Sequence, residues 1–265
     1  FKPDILHETY YYHNKLRNTN VKTVVTVYDM IHELFPESFP ENDITRIFKK
    51  NSVDNADHII CISNSTKNDL MDIHNIPSEK ISVVHLAAEK VISPNQFQPF
   101  HPLNDKKPYI LFVGERGGYK NFTNFLHAIG QSKKIITDFN IVTFGGGQFS
   151  PHEIKTIDKL GFKENQVLNI SGDDQLLASL YKSARLFVYP SMYEGFGLPL
   201  LEAMINGCPV ISANNSSLPE VAGNAARYFN PYSIEEISQI IEEVAYSDYE
   251  IEKLKSLSKI QVGKF

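Results

Sequence analysis

Two glutamates stand on either side of a glycine-containing turn in the stretch YPSMYEGFGLPLLEAM, which is otherwise apolar enough to be buried. Glu194 precedes the turn and Glu202 follows it. A carboxylate accepts hydrogen bonds from two neighbouring hydroxyls of a ribose or a hexose, so each glutamate is a candidate for binding a sugar ring. The alternative is structural, with Glu202 complementing a helix dipole and Glu194 solvated in a loop.

The turn between the two glutamates predicts an anion site. It follows the apolar strand LFVYP, Gly195 and Gly197 let the backbone turn sharply, and Pro199 suits the first position of a helix. In doubly wound sheets ligands gather beyond the carboxyl ends of the strands, where free amides at a helix N-terminus hold an anion. A phosphate held there, with one hydroxyl-rich group on each side, is the layout of a nucleotide-sugar.

The composition excludes several classes of protein. The chain has 265 residues, of which 42% are hydrophobic, enough for one large or two ordinary domains. It has no apolar run of about 18 residues, and its first residues lack the order of a secretory signal. The net charge of −5 gives no general attraction for nucleic acid. Cys61 and Cys208 lie in apolar surroundings, where buried reduced thiols are expected, and this favours the cytoplasm.

Short apolar runs alternate with amphipathic stretches along most of the chain, which is typical of βαβ units on a parallel sheet. The alternation stops over residues 87–108, where four prolines predict a linker. We therefore expect an α/β protein with two Rossmann-like doubly wound domains, at 1–86 and 109–246, and a C-terminal helical segment at 247–265. The predicted strands are 23–27, 58–63 and 81–86 in the first domain and 109–114, 140–147, 167–172, 186–190 and 209–213 in the second.

The first domain looks incomplete at the level of sequence. About three strands are predicted in it, and the sequence starts at Phe1 with KPDIL, a strand normally found in the middle of such a sheet. We therefore expect the chain to be a fragment of a longer protein.

Three segments resemble a known family. The stretch PSMYEGFGLPLLEAMINGCPVISANNSSLPEVAGNAARYFNP is similar to the signature of retaining family-4 glycosyltransferases, in which seven residues separate two glutamates. LFVGERGGYKNFTNFLHAI and GDDQLLASLYKSARLFVYPS match further parts of that signature. The resemblance is strong over most of 109–232 and looser over 1–86. It implies a GT-B fold, with two Rossmann-like halves facing each other across a cleft, and truncation of this chain at both ends.

The resemblance makes the second domain the binding domain for a nucleotide-sugar donor and assigns roles to its residues. Glu194 would contact hydroxyls of the donor hexose, and Glu202 would contact the ribose. Lys120 and Arg116 would neutralise the diphosphate as it leaves. Asp173 would either contact the nucleobase or cap the following helix. The remaining contacts would come from the turn itself, through Gly195, Phe196, Gly197 and Leu198.

In the first domain, which would face the acceptor, His7 matches a histidine that relatives place beside the donor sugar, and a structural histidine is the alternative. The family pattern TVHD is TVYD here, because Tyr28 replaces the histidine while Asp29 remains. The glycines at 145–147 lack a following basic residue and predict a turn. The helix ITRIFKKNSV predicts either contact with anionic lipid at the inner membrane face or a solvated basic surface.

These expectations describe an enzyme that transfers a hexose from a nucleotide-sugar to a glycan or lipid-linked saccharide with retention of configuration. GDP-mannose is the expected donor, and this expectation rests on the segments GERGGYKNF and VYDMIHELFP alone. A UDP-hexose is the alternative donor. No cofactor and no divalent metal are expected, because Lys120, Arg116 and backbone amides supply the positive charge. A non-catalytic nucleotide-sugar-binding module and an epimerase of the same architecture are the alternatives.

Overall fold

The computed structural model describes residues 3–11, 21–89 and 107–265. Most of the predicted linker at 87–108 therefore lies outside the described residues. By their internal contacts the described residues form two compact units. Unit 1 is the chain up to Leu86 together with Tyr193–Phe196, and unit 2 comprises Ala87–Met192 and Gly197–Phe265.

The described residues of unit 1 form a sheet of four parallel strands in the order β1-β2-β3-β4. The three strands predicted from the sequence are present, and KPDIL contributes β1. The strands are β1 (Ile5–Glu8), β2 (Lys22–Val27), β3 (His58–Cys61) and β4 (Ile81–Val83). The helices are α1 (Ile31–Leu34), α2 (Thr45–Asn55) and α3 (Asn64–His74).

The core of unit 1 forms between its sheet and its helices. Val25, Ile59 and Cys61 from the strands pack with Val53 and Leu70 from the helices, because apolar residues recur on one face of each element. Cys61 is a free thiol in this core, as predicted, and burial raises its pKa to about 12.

Lys49 departs from the surface role that its sequence suggests. The basic appearance of α2 places Lys49 beside Arg46 and Lys50 on a solvated or lipid-facing surface, but the structure buries the Lys49 side chain completely. Its Nζ lies 2.6 Å from Glu33 Oε2 and donates to the Asp29 carbonyl oxygen at 2.8 Å. A lysine is tolerated at such a depth because it is paired and hydrogen-bonded.

In unit 2 the part of the chain that the structure describes forms six parallel strands in the order β10-β9-β8-β5-β6-β7. The strands are β5 (Tyr109–Val113), β6 (Asn140–Phe144), β7 (Val167–Ile170), β8 (Leu186–Tyr189), β9 (Val210–Ala213) and β10 (Ala226–Phe229). The helices are α4 (Phe122–Gln131), α5 (Lys133–Asp138), α6 (Pro151–Lys159), α7 (Asp174–Ser183), α8 (Leu198–Ile205), α9 (Leu218–Ala222), α10 (Ile234–Ala245) and α11 (Asp248–Val262).

The strand order of unit 2 determines where a ligand is expected. The chain runs outward from β5 to β7, returns to β8 on the other side of β5, and continues to β10. The order therefore reverses between β5 and β8, and doubly wound sheets bind ligands at such a reversal, beyond the carboxyl ends of the strands. The turns that follow β5 and β8 carry the residues that the sequence singled out.

Helix α10 ends at Ala245, and the Ser247 hydroxyl caps α11 by accepting from the Glu250 amide. Two details of unit 2 differ from the sequence expectation. Strand β10 was not predicted. Helix α8 begins at Leu198, so Pro199 occupies its second position. Within the described residues no helix is long and apolar enough to cross a membrane.

Candidate functional site

A cavity of about 340 Å³ opens beside α7 and α8 in unit 2. Its walls combine carboxylates with apolar and aromatic side chains, a mixture typical of pockets that hold a ligand of drug size. The lining residues are Ala87, Ala88, Glu89, Asp174, Leu177, Ala178, Tyr181, Leu198, Glu202 and Asn206. Of the residues predicted from the sequence, Glu202 and Leu198 meet in this cavity.

Glu202 is placed in the cavity wall by the turn that starts α8. Gly197 caps the helix at a φ of 103°, a left-handed conformation that favours glycine, and Glu202 follows just over one helical turn later. Its Oε2 accepts a hydrogen bond from the Tyr181 hydroxyl at 3.3 Å. Burial raises the pKa of the Glu202 carboxyl above its ordinary value of 4.5, and Asp174 adds to the rise while Tyr181 opposes it.

The raised pKa of Glu202 predicts a stability difference that depends on pH. A carboxyl whose pKa is raised by folding destabilises the native state when it is ionised. Glu202→Gln should therefore unfold at a higher temperature than the wild type at pH 7. The gap should shrink as the pH falls toward 4.5 and below, where both side chains are neutral. Thermal unfolding between pH 4 and pH 8 measures it, and a gap that does not change with pH contradicts the prediction.

Of the two roles that the sequence left open for Asp173, the structure shows the helix cap. The Asp173 side chain caps α7, since its Oδ1 accepts from the Leu176 amide at 2.9 Å. Asp174 lies one residue further on and lines the cavity. A nucleobase contact by Asp173 stays a prediction, whereas the position of Asp174 was missed, although the adjacent pair of aspartates was visible.

Glu194 belongs to unit 1, because Tyr193–Phe196 makes its contacts there. The Glu194 residue is 8% exposed. The next residue, Gly195, packs so closely on unit 1 that an added Cβ would lie 1.9 Å from the Tyr28 carbonyl oxygen and 2.8 Å from the Asp29 Cβ. A glycine is therefore required for the segment that carries Glu194 to approach the TVYD turn.

Lys120 is held at the end of β8 by its neighbours in sequence. Asn121, at a φ of 63°, donates from Nδ2 to the Pro190 carbonyl at 3.0 Å, and the Met192 amide donates to the Tyr119 carbonyl at 2.7 Å. The Lys120 ammonium lies 5.2 Å from the centre of the Tyr119 ring and 5.9 Å from that of Tyr189. A cation is thus fixed at the strand end where the stretch with the two glutamates begins.

Arg116 organises the loop of three glycines that follows β6. Its Nε donates to Glu153 Oε1 at 2.7 Å, and its terminal nitrogens donate to Asn169 and to the backbone carbonyls of residues 145–148. Gly145, Gly146 and Gly147 all have positive φ, which turns these carbonyls toward the guanidinium. The Arg116 residue is 7% exposed, and all three of its nitrogens bond within unit 2.

His7 lies on β1 in unit 1, and its Nε2 is 2.8 Å from the Thr26 hydroxyl on the neighbouring strand. The bond fixes the ring orientation, as either a structural or a functional histidine requires. Asp29, in the TVYD turn, accepts from the Ile31 amide at 3.0 Å and lies 3.6 Å from the Lys49 ammonium. The roles of His7, Lys120 and Arg116 toward a ligand stay predictions.

The two Rossmann-type sheets place this protein in the class of GT-B glycosyltransferase folds. The carboxylate-lined cavity lies in the second unit. The sequence pattern of the family described as Glycosyl transferases group 1 matches residues 94–260, and that of Glycosyltransferase Family 4 matches residues 1–88. The chain belongs to the family Glycosyl transferases group 1, and the expectation of a GT-B glycosyltransferase is confirmed.

Named relatives agree with the family, and solved structures agree with the fold. O-antigen chain mannosyltransferase B of Escherichia coli is 30% identical over 82% of this chain, and O-antigen chain mannosyltransferase RfbU of Salmonella typhimurium is 31% identical over 78%. The chain spans 59% and 56% of the lengths of these relatives. Sucrose-phosphate synthase from Thermosynechococcus elongatus superposes with a TM-score of 0.77 at 18% identity, covering 98% of this chain and 69% of that one. Anabaena HepE in complex with UDP and glucose gives 0.75 at 18% identity, covering 92% and 67%.

Proposed function

We propose that this protein is a retaining hexosyltransferase that transfers mannose from GDP-mannose to a glycan or lipid-linked saccharide of a cell-surface polysaccharide. The observation that carries the proposal is the cavity of unit 2, in which Glu202 and Asp174 present carboxylates beside apolar walls. Membership of the glycosyltransferase family supports a nucleotide-sugar as ligand. The names of the O-antigen mannosyltransferases support mannose and a saccharide acceptor.

In this proposal Glu202 accepts hydrogen bonds from the ribose hydroxyls. The Tyr181 hydroxyl orients the carboxylate, and the half-buried position strengthens each bond, because little water competes for the carboxylate oxygens. Another carboxylate of the cavity, Asp174, suits a guanine, whose N1–H and 2-amino group both donate, better than a uracil, which presents one N–H between two carbonyls. This complementarity supports GDP over UDP.

Lys120 supplies the positive charge that the departing diphosphate needs. Negative charge grows on the phosphates as the glycosidic bond breaks, and a cation that is already fixed in place stabilises that charge without reorganising. The amides at the start of α8 add partial positive charge. Arg116 acts mainly through the glycine loop it organises, since direct donation to a phosphate would cost it bonds to that loop. Glu194 contacts the hydroxyls of the hexose, and His7 lies on the same unit as Glu194.

A donor screen followed by a product assay tests the proposal. At 100 times its dissociation constant a donor stabilises the native state by about 2.7 kcal/mol, which thermal unfolding detects. We expect GDP-mannose to shift the unfolding temperature more than UDP-glucose or UDP-galactose. Incubation with GDP-mannose and a lipid-linked saccharide should then give an α-linked product by NMR. Binding without transfer would support a non-catalytic module, and isomerisation of the donor without acceptor would support an epimerase.

The two glutamates should differ in their effects on nucleotide binding. Glu202→Ala removes the ribose contact and should weaken both GDP and GDP-mannose, by about tenfold for the loss of hydrogen bonds to a charged group. Glu194→Ala removes contacts to the transferred sugar only and should leave the affinity for GDP unchanged. Titration calorimetry with GDP separates the two variants. Equal loss of GDP affinity in both would contradict the assignment.

We further propose that transfer needs no divalent metal. Two phosphates in a cleft require compensating charge, which Lys120 and the backbone amides of the turn after β8 provide in this proposal. Activity in excess EDTA should stay within about twofold of the untreated value, a barrier change of about 0.4 kcal/mol. Abolition by EDTA with rescue by Mg²⁺ or Mn²⁺ would overturn both the metal-free mechanism and the role of Lys120.

A further inference from the structure

The segment Tyr193–Phe196 is attached to helix α3 by two side-chain hydrogen bonds. The Tyr193 hydroxyl donates to Asp69 Oδ2 at 2.5 Å, and the Thr66 hydroxyl donates to the Gly195 carbonyl at 3.2 Å. Thr66 and Asp69 are three residues apart on α3, so their side chains lie on the same face of the helix. Glu194 is the residue between the two attached positions.

Both attachments are shielded from water. Thr66 is fully buried and Tyr193 is 6% exposed. The Asp69 carboxyl is half-buried, and burial raises its pKa, while the Tyr193 and Ser65 hydroxyls that it accepts from lower it. A short hydrogen bond from a phenol to a carboxylate is of the charge-assisted kind, about twice as strong as a neutral one.

Ring contacts and close backbone packing complete the attachment. The Tyr193 ring lies 6.2 Å from that of Phe35, and the Phe196 ring lies 5.9 Å from that of His85. Gly195 rests against the Tyr28 carbonyl with no room for a Cβ. Tyr193, Gly195 and Phe196 thus each have a contact that fixes the backbone on which Glu194 stands.

We propose that Asp69 and Thr66 are positioning residues for Glu194, acting through Tyr193 and Gly195 respectively. The inference rests on the proposed function, in which Glu194 contacts the transferred hexose. The α3 helix would hold the glutamate where the sugar is transferred, while nucleotide binding stays with the cavity of unit 2. Weakening the attachment should therefore lower turnover and leave GDP affinity intact.

Tyr193→Phe removes only the hydroxyl of the attachment. Turnover should fall about tenfold, the size expected for losing a hydrogen bond to a charged group. The affinity for GDP and the KM for the donor should stay within about twofold. The matched control is Tyr246→Phe, which removes a comparable hydroxyl bond to Asp138 in unit 2 and should leave turnover unchanged. Comparable unfolding temperatures for the two variants would show that turnover does not follow stability.

Variants of Asp69, which accepts the hydrogen bond from Tyr193, separate positioning from a general structural effect. Asp69→Asn keeps an oxygen that accepts from Tyr193 and should retain most of the turnover, whereas Asp69→Ala should match Tyr193→Phe. The double variant Tyr193→Phe with Asp69→Ala should be no worse than either single one, because both remove the same bond. Amide hydrogen exchange of a peptide spanning residues 192–197 should be faster in Tyr193→Phe than in the wild type.

The outcomes are distinguishable from failure of the proposed function. If the complete wild-type protein forms no product with any donor, the proposed function is wrong. If it transfers but Tyr193→Phe and Asp69→Ala both keep wild-type turnover, or hydrogen exchange at 192–197 is unchanged in Tyr193→Phe, the inference is wrong. An equal loss of GDP affinity and turnover would also overturn it, because the attachment would then serve the nucleotide cavity.

Discussion

Lys120→Ala should lower the turnover number by about 10² to 10³, the usual effect of removing one preorganised electrostatic donor. The ammonium lies beside Tyr119 and Tyr189 at the end of β8, and in the proposed mechanism its charge stabilises the diphosphate as the glycosidic bond breaks. Because the charge on the diphosphate is greatest in the transition state, the affinity for the intact donor should fall much less than turnover. Steady-state kinetics together with calorimetry of GDP-mannose measure both quantities.

The matched control for this variant is Lys134→Ala. The Lys134 ammonium also lies over a tyrosine ring, 3.6 Å from the centre of Tyr246, but on helix α5 and outside the proposed site. Its removal should leave turnover unchanged. An unchanged turnover number in Lys120→Ala would rule out the proposed role, and a fall that matches a loss of donor affinity would make Lys120 a ground-state binding residue instead.

Gly195→Ala should be the second most damaging substitution. The new Cβ would lie 1.9 Å from the Tyr28 carbonyl oxygen. Because this oxygen belongs to the backbone, it cannot move aside as the end of a flexible side chain can. The segment must therefore shift by about 1 Å or more, and a displacement of that size costs about 10² in rate when it moves a group that contacts the substrate. GDP affinity should be retained, because the nucleotide cavity belongs to unit 2. Kinetics and calorimetry on the same preparation test both halves of the prediction.

Gly263→Ala provides the control for the added methyl group. Gly263 lies at the end of α11 with right-handed helical angles, and its nearest neighbour to a new Cβ is the Ile260 carbonyl oxygen at 3.5 Å, an ordinary contact distance. This variant should behave as the wild type. If Gly195→Ala also keeps full turnover, the close approach of the EGFG segment to the TVYD turn has no functional importance.

The sheets of both units were predictable because their strands are short, apolar and separated by glycine- and proline-containing turns. The predicted strand at 186–190 is observed as Leu186–Tyr189, and every residue of it is buried. Strand β10 was missed because ARYF has a charged residue, Arg227, between its apolar residues, and Arg227 is half-buried at the edge of the sheet.

The cavity was predictable in part. The sequence placed Glu202 early in a helix that starts at a glycine turn, and this local arrangement is observed. The partner of Glu202 could not be inferred, because Tyr181 is 21 residues away and reaches it only through the packing of α7 on α8. Asp174 was available as the second of two adjacent aspartates, but only the capping geometry of Asp173 shows which of them lines the cavity.

The hydrogen-bond partners of Arg116 and Lys49 could not be predicted from a local sequence pattern. A guanidinium in a loop is read from sequence as free to bind an anion, yet Arg116 bonds to a glycine loop some 30 residues away. The sequence places Lys49 on the surface, but in the structure it is buried and donates to Glu33, 16 residues earlier. Both cases depend on contacts between distant parts of the chain, which composition and periodicity do not encode.

The discontinuity of unit 1 bears on how the protein is made. The hydrogen bond between Thr66 and Gly195 joins residues 129 positions apart. During synthesis at about 5–20 residues per second, all of unit 1 up to Leu86 leaves the ribosomal active centre roughly 5 s or more before Tyr193 is added. Until then Thr66 and Asp69 on α3 lack the hydrogen bonds that the segment Tyr193–Phe196 supplies. The nascent unit 1 is therefore completed only after most of unit 2 has been translated, and the placement of Glu194 is a late step in the maturation of the protein.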